Sequence, residues 1–199
     1  MTVAGVVLAA GASRRMGQPK PLLRIAGQAL LDRMCSALQA GGCRPVMAVV
    51  AEPLDPILEA CELSGVRLVM NPDPARGQIS SLRCAIGACG QWPDVEGLLV
   101  LLVDQGAIEP ETVRRVRAAL PGARSAVAWY RGQPGHPAAF ASEIWSRLCS
   151  VEADSGARAV VEALRRQGDE RRVDTDDPGV LRNLNHARDF ERFVASVRT

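Results

Sequence analysis

Lysine is nearly missing from this 199-residue chain. Lys20 stands alone among 24 basic residues, and the others are all arginine. A coding bias toward arginine accounts for most of that imbalance. It still singles out position 20, because a compact ammonium and a planar guanidinium are not interchangeable at a tight site. Aromatic residues are also scarce, with three tryptophans, three phenylalanines and one tyrosine. That is too few for the stacking platforms that hold single-stranded nucleic acid. A formal net charge of +2 lacks the basic footprint of a nucleic-acid binder.

There are two histidines, and none of the six cysteines (Cys35, Cys43, Cys61, Cys84, Cys89, Cys149) falls in a Cys-x-x-Cys pair. Zinc-site spacing is therefore absent, and the cysteines read as small buried hydrophobes. No apolar run is long enough to span a membrane. Val3 to Ala10 is apolar, but Arg14 and Arg15 follow it rather than precede it. That order is wrong for a secretory signal, so a cytoplasmic location is expected.

What the chain does contain is a globular composition, 47% hydrophobic and 23% charged, at a length that suits one domain. Val3–Leu8, Val46–Ala51, Val66–Met70, Gly97–Asp104 and Ser125–Tyr130 are short apolar runs that read as strands. Between and after them, helical spacing or helix-start residues mark 29–40, 53–63, 80–89, a helix opened by Pro110, 142–149, 155–166 and 187–196. Strand alternating with helix predicts an α/β fold, a three-layer α/β/α Rossmann-like domain with a mostly parallel central sheet. In such a sheet ligands bind at the carboxyl ends of the strands. Two loops then matter most, residues 9–20 and the loop that begins at Asp104.

The first loop, Leu8-Ala9-Ala10-Gly11-Ala12-Ser13-Arg14-Arg15-Met16-Gly17-Gln18-Pro19-Lys20, combines small residues with cations. Small residues let backbone N–H groups approach an anion, and cations neutralise it. It is neither a Walker loop nor a Gly-x-Gly-x-x-Gly dinucleotide turn. Composition alone leaves a phosphate cradle and an ordinary glycine-rich connection equally open. Further along, Gly77-Gln78-Ile79-Ser80-Ser81-Leu82 opens a helix, where serines are natural caps and where anions also settle. Asp104-Gln105-Gly106 ends the strongest strand, and a carboxylate there suits either turn initiation or a Mg²⁺ ion, which takes one or two carboxylates plus phosphate oxygens. Three more segments stand out: Tyr130-Arg131-Gly132-Gln133-Pro134-Gly135-His136-Pro137, Asp154-Ser155-Gly156-Ala157-Arg158 and Asn183-Leu184-Asn185-His186-Ala187-Arg188-Asp189.

With its spacing, Leu-Ala-Ala-Gly-x-Ser-x-Arg-Met-Gly-x-x-Lys resembles the signature loop of nucleotidyltransferases, and within them most closely the molybdenum cofactor cytidylyl- and guanylyltransferases. The other segments also resemble motifs of that family. This chain has Gly106 where the family has proline, Ala153 where it has glycine, and His186-Ala187-Arg188 where it has Thr-Pro-Glu.

The resemblance implies one nucleotidyltransferase domain over 1–199, with a nucleotide-binding half at about 1–105 and an acceptor-binding half at about 106–199. It places Leu8, Ala9, Ala10 and Gly11 against the nucleoside and Ser80 and Ser81 near base or ribose. Arg15 and Lys20 would hold phosphates, and Asp104, with Asn185 and less surely Asn183, would hold Mg²⁺. His136 and Arg158 would face the acceptor. The implied reaction is attack of a molybdopterin phosphate oxygen on the α-phosphorus of a triphosphate, releasing pyrophosphate. The nucleophile is already an anion, so alignment and charge neutralisation are what the reaction needs. CTP is the expected donor, because Leu8-Ala9-Ala10-Gly11 and the Gly-His-Pro segment match the cytidylyl branch. Guanylyl transfer, transfer to another phosphorylated acceptor, and a non-catalytic protein that carries the cofactor to a molybdoenzyme client are the alternatives. Neither nucleic acid nor a membrane is an expected partner.

Overall fold

The computed structural model describes residues 1–11, 17–151 and 156–197. Strand β1 (Thr2–Leu8) comes first, and a 3-10 turn at Lys20–Leu22 leads to the small hairpin of β2 (Arg24–Ile25) and β3 (Gln28–Ala29). Then follow α1 (Leu30–Ala40), β4 (Val46–Val50), α2 (Asp55–Ala60), β5 (Val66–Met70), α3 (Gln78–Cys89), β6 (Val95–Leu102) and α4 (Pro110–Ala119). The remainder is β7 (Ser125–Tyr130), β8 (Gln133–Ala141), α5 (Trp145–Ser150), α6 (Gly156–Gln167), β9 (Glu170–Thr175) and α7 (Ala187–Val197).

Seven strands form the main sheet in the order β5-β4-β1-β6-β8-β7-β9. β5, β4, β1 and β6 run parallel, as do β7 and β9. β8 runs antiparallel to both neighbours. The sheet is thus mostly parallel, and its apolar strands need a helical layer on each face. Along β6, Leu99 and Leu101 enter the core shared with Leu31, Met34 and Leu38 of α1 and Val113 and Val116 of α4. Leu98 and Val100 enter the other core, with Ile79 and Leu82 of α3, Leu148 of α5 and Leu164 of α6. The two-residue period of a strand is what divides one continuous apolar run between two cores.

Three details depart from expectation. Gln133–Ala141 is a strand in the middle of the sheet rather than part of a loop. The segment 53–63 is helical only over Asp55–Ala60. Asp32 of α1 explains its early end, because its buried carboxylate accepts the backbone N–H groups of Glu62 and Leu63 at 3.1 and 3.0 Å and draws the chain out of the helix. Asp104 also lies beyond β6 rather than on it, in a 3-10 turn at Val103–Gln105. The Gln105 side chain turns back to accept the Leu102 N–H at 3.3 Å, which closes the strand.

Cys35, Cys43 and Cys89 are buried and behave as small hydrophobes, while Cys61, Cys84 and Cys149 are half-buried. Burial pushes the Cys35 and Cys43 thiols up to about 12 and the Cys89 thiol up to about 11.

Candidate active site

β1 and β6 lie side by side and in parallel, so the chain leaving Leu8 and the chain leaving Leu102 emerge together at one sheet edge. Lys20 starts the 3-10 turn that ends the first loop, framed by Pro19 and Pro21. Its ammonium donates to Asp104 Oδ2 at 3.1 Å and to Asn185 Oδ1 at 3.0 Å. Both members of the ion pair are largely shielded, with side chains 14% and 23% exposed. Asn185 is brought in by the backbone, since the Leu184 N–H donates to the Asp104 carbonyl at 2.7 Å. Three residues far apart in sequence therefore meet at one point.

Asp104 Oδ1 is buried and has no hydrogen-bond partner among the described residues. A buried carboxylate oxygen left unpaired is costly unless a ligand satisfies it. Among those residues no three His, Cys, Asp or Glu side chains cluster as a metal cage. A cation here would rest on one carboxylate and one amide oxygen and draw its remaining ligands from phosphate and water. That donor set fits a hard divalent ion of the magnesium kind.

The loop from β1 presents little side chain. Leu8, Ala9 and Ala10 are all buried, with Ala9 in one core and Leu8 and Ala10 in the other, while Gly11 is exposed. Ala9 is pinned through its N–H to the Val49 carbonyl at 2.8 Å. What this segment can offer a ligand is mostly backbone. Arg15 lies outside the described residues.

Ser80 and Ser81 sit in the first turn of α3 and are buried. Both hydroxyls accept from the amide of Asn71, at 2.8 and 3.0 Å, and Ser80 also donates to the Gly77 carbonyl at 2.7 Å. Asn71 follows β5 directly and is itself buried. It was not singled out in the sequence, where Asn71-Pro72 reads as an ordinary loop. Its position just past a strand end, like that of Asp104, was the available signal.

Beside the cluster opens a cleft of about 680 Å³. Its floor is the sheet face and α3, with Leu82, Val100, Val127 and Phe140, and its rim is polar, with Gln78, Gln105, His136, Arg158 and Asn183. Arg158 is strongly exposed and pairs with Glu162 one turn on, at 2.8 Å. Another hollow, of about 500 Å³, lies where Met1, Glu96, Arg124 and Asp169 meet. Its charges pair with one another, Arg124 with Glu143 and Asp169 and the terminal amine with Glu96.

Residues 5–170 match the model of the MobA-like NTP transferase domain. The chain belongs to that family. A probable molybdenum cofactor guanylyltransferase of Mycobacterium marinum is 30% identical over 96% of this chain and 92% of its own length. Nicotine blue oxidoreductase of Paenarthrobacter nicotinovorans is 31% identical over 78% of this chain and 79% of its own. Among solved structures, Rv0371C of Mycobacterium tuberculosis in complex with manganese superposes with a TM-score of 0.77 at 25% identity, covering 98% of this chain and 100% of that one.

Against the family pattern, Gly106 is the informative departure. It has φ +55°, and a Cβ there would run into the buried Leu184 side chain. Proline, fixed near φ −65°, cannot adopt that backbone. This transferase domain therefore turns differently after its aspartate, and Arg33 Nε holds the turn by donating to the Gly106 carbonyl at 3.2 Å.

Gly135 is needed for a different reason. A Cβ on it would drive into the Val180 carbonyl where β8 passes the 178–181 turn. Gly135→Ala is expected to cost about 3 kcal/mol of stability, since rigid backbone cannot yield. Urea denaturation measures it, and a loss under about 0.5 kcal/mol would contradict the close packing.

Burial pushes the His136 imidazole down to about 4 from its ordinary 6.5, against the opposing pull of Asp104. The residue is half-buried and lines the cleft. It is therefore neutral at physiological pH and offers a hydrogen bond rather than a charge. Because its folded pKa lies below its unfolded one, stability is complete above pH 6.5 and declines as pH falls toward 4, by up to about 3 kcal/mol. His136→Gln should flatten that part of the stability–pH curve. An identical curve for the variant would mean that other groups cause the decline.

Proposed function

We propose that this chain transfers the nucleoside monophosphate of a nucleoside triphosphate, with CTP preferred, to the terminal phosphate of molybdopterin, releasing pyrophosphate. The observation that carries this reading is the Lys20–Asp104–Asn185 cluster, with an unsatisfied Asp104 oxygen, beside a cleft large enough for a second substrate. Residues from about 1–105 hold the nucleotide and those from about 106–199 the acceptor. Mg²⁺ held by Asp104 and Asn185 would neutralise charge on the phosphates. Lys20 and Arg15 bind phosphate oxygens. The backbone of Leu8, Ala9, Ala10 and Gly11 follows the nucleoside, with Ser80 and Ser81 near its base or ribose. The acceptor lies over the apolar cleft floor, where neutral His136 donates a hydrogen bond and Arg158 meets negative charge. The attacking phosphate oxygen needs no base, so a histidine with so low a pKa is no obstacle.

The base preference rests on Ala10. Its methyl fills space that a glycine would leave for a purine, and a contact of that kind is worth about 1–3 kcal/mol. The relatives named as guanylyltransferases point toward GTP. A screen of the four triphosphates with Mg²⁺ and molybdopterin, reading pyrophosphate, decides between them. CTP should be fastest, and Ala10→Gly should narrow its lead over GTP by roughly tenfold. Faster release with GTP in the unmodified protein overturns the base assignment and leaves the transferase standing. No release with any triphosphate favours a protein that carries the finished cofactor to a molybdoenzyme. A cytoplasmic setting belongs to the same reading. Among the described residues no helix is long and apolar enough to cross a membrane.

A further inference from the structure

The Lys20 ammonium stands in the gap that a metal would need. It is within 3.1 Å of Asp104 Oδ2 and 3.0 Å of Asn185 Oδ1, oxygens of the two side chains assigned to the ion, and among the described residues only Asp104 Oδ1 is left open beside it. A divalent ion takes its oxygen ligands at roughly 2.1 Å, so one held by Asn185 and either oxygen of Asp104 would lie within a few ångströms of the ammonium. Both cations cannot share a space that small, because a +1 and a +2 charge a few ångströms apart repel strongly when water is largely excluded. The pair is well shielded from solvent, so bulk water screens that repulsion poorly.

Taking the metal site as read above, we propose that Lys20 is an internal counter-cation. It occupies the divalent-metal gap in the ligand-free protein and competes with the ion for it. The chemistry of the two groups supports this. Lysine is a point charge on a flexible four-carbon stem, so it can leave the gap by rotating its side chain while the turn that carries it stays fixed. It leaves only for another anion, because a vacated ammonium would lose its contacts with Asp104 and Asn185. A polyphosphate supplies such an anion and brings negative charge of its own. The consequence is an order of events. A divalent ion alone meets an occupied site, whereas an ion arriving with a triphosphate meets one from which the lysine has been drawn away. Free metal then binds weakly, and the two ligands bind together.

The test is a titration of Mn²⁺ without any nucleotide, followed by the electron paramagnetic resonance signal of the free ion. It compares the wild type with Lys20→Gln, Lys20→Arg and the double variant Lys20→Gln/Asp104→Asn. Lys20→Gln removes the competing charge and should bind Mn²⁺ at least tenfold more tightly than the wild type. Lys20→Arg keeps a cation and should stay as weak as the wild type. The double variant should lose the gain. If Lys20→Gln binds no more tightly than the wild type, or if the gain survives loss of the Asp104 charge, the proposal is wrong. Equal tightening by glutamine and arginine would also reject it, since packing and not charge would then be at work. Lys20→Met, neutral and of similar length, provides the same comparison should the glutamine variant fail to fold. Failure of the transferase reading shows elsewhere, as an absence of pyrophosphate release by the wild type with every triphosphate.

Discussion

Asp104→Asn is expected to slow pyrophosphate release by a hundredfold or more, about 3 kcal/mol of transition-state stabilisation, while the protein stays folded. The substitution keeps the shape of the side chain and removes its charge. In the folded protein Asp104 has one oxygen on Lys20 and one without a partner among the described residues. Neither arrangement holds the sheet together, and an ion pair that still touches solvent contributes only about 1 kcal/mol to stability. The loss should therefore fall on chemistry. The measurement is turnover against metal concentration, with circular dichroism as the control for folding. An unchanged metal dependence would remove Asp104 from the metal site.

Lys20→Ala is expected to lower turnover by an amount of the same order, roughly a hundredfold, the usual cost of removing a preorganised group that meets developing phosphate charge. The variant also deprives Asp104 and Asn185 of their shared partner. Some loss of stability is thus expected, again about 1 kcal/mol. Lys20→Arg should be impaired as well: its guanidinium still brings positive charge to the two oxygens, but a planar fork cannot meet the phosphates as a compact ammonium does. Steady-state kinetics of both variants with the preferred triphosphate provide the check. Near-normal turnover in Lys20→Ala would remove the phosphate role.

The parallel half of the sheet was legible because buried strands are written as apolar runs, as in β1, β4 and β6. Two strands of the main sheet were not. β8 contains Pro134, Gly135 and Pro137, residues that ordinarily mark turns. It is nonetheless an interior strand, and the 178–181 turn packs so closely on Gly135 that a side chain would not fit. β9 reads Glu-Arg-Arg-Val-Asp-Thr, and only Val173 of it is buried. An edge strand needs few apolar residues, so its composition resembles surface.

The site divides in the same way. Family motifs pointed to Lys20, Asp104 and Asn185 separately. No spacing in the sequence says that an ammonium bridges the other two, since that depends on how three loops are folded against each other. What Asn71 holds, and how the chain turns at Gly106, were hidden for the same reason. Their roles consist of contacts with Ser80, Ser81 and Leu184, and position in the chain does not encode contact.

The bridge at Lys20 joins residues 84 and 165 positions apart, and Asn185 is delivered by a backbone bond from Leu184 to Asp104. No contiguous fragment short of about four-fifths of the chain contains all three groups. During synthesis, the metal-and-phosphate point proposed above cannot exist until residue 185 has left the ribosome and docked. Whatever early structure the β1–β6 half acquires, it would not bind triphosphate in the way the finished protein does. Ligand binding by this chain is therefore also a report that its last segment has come home.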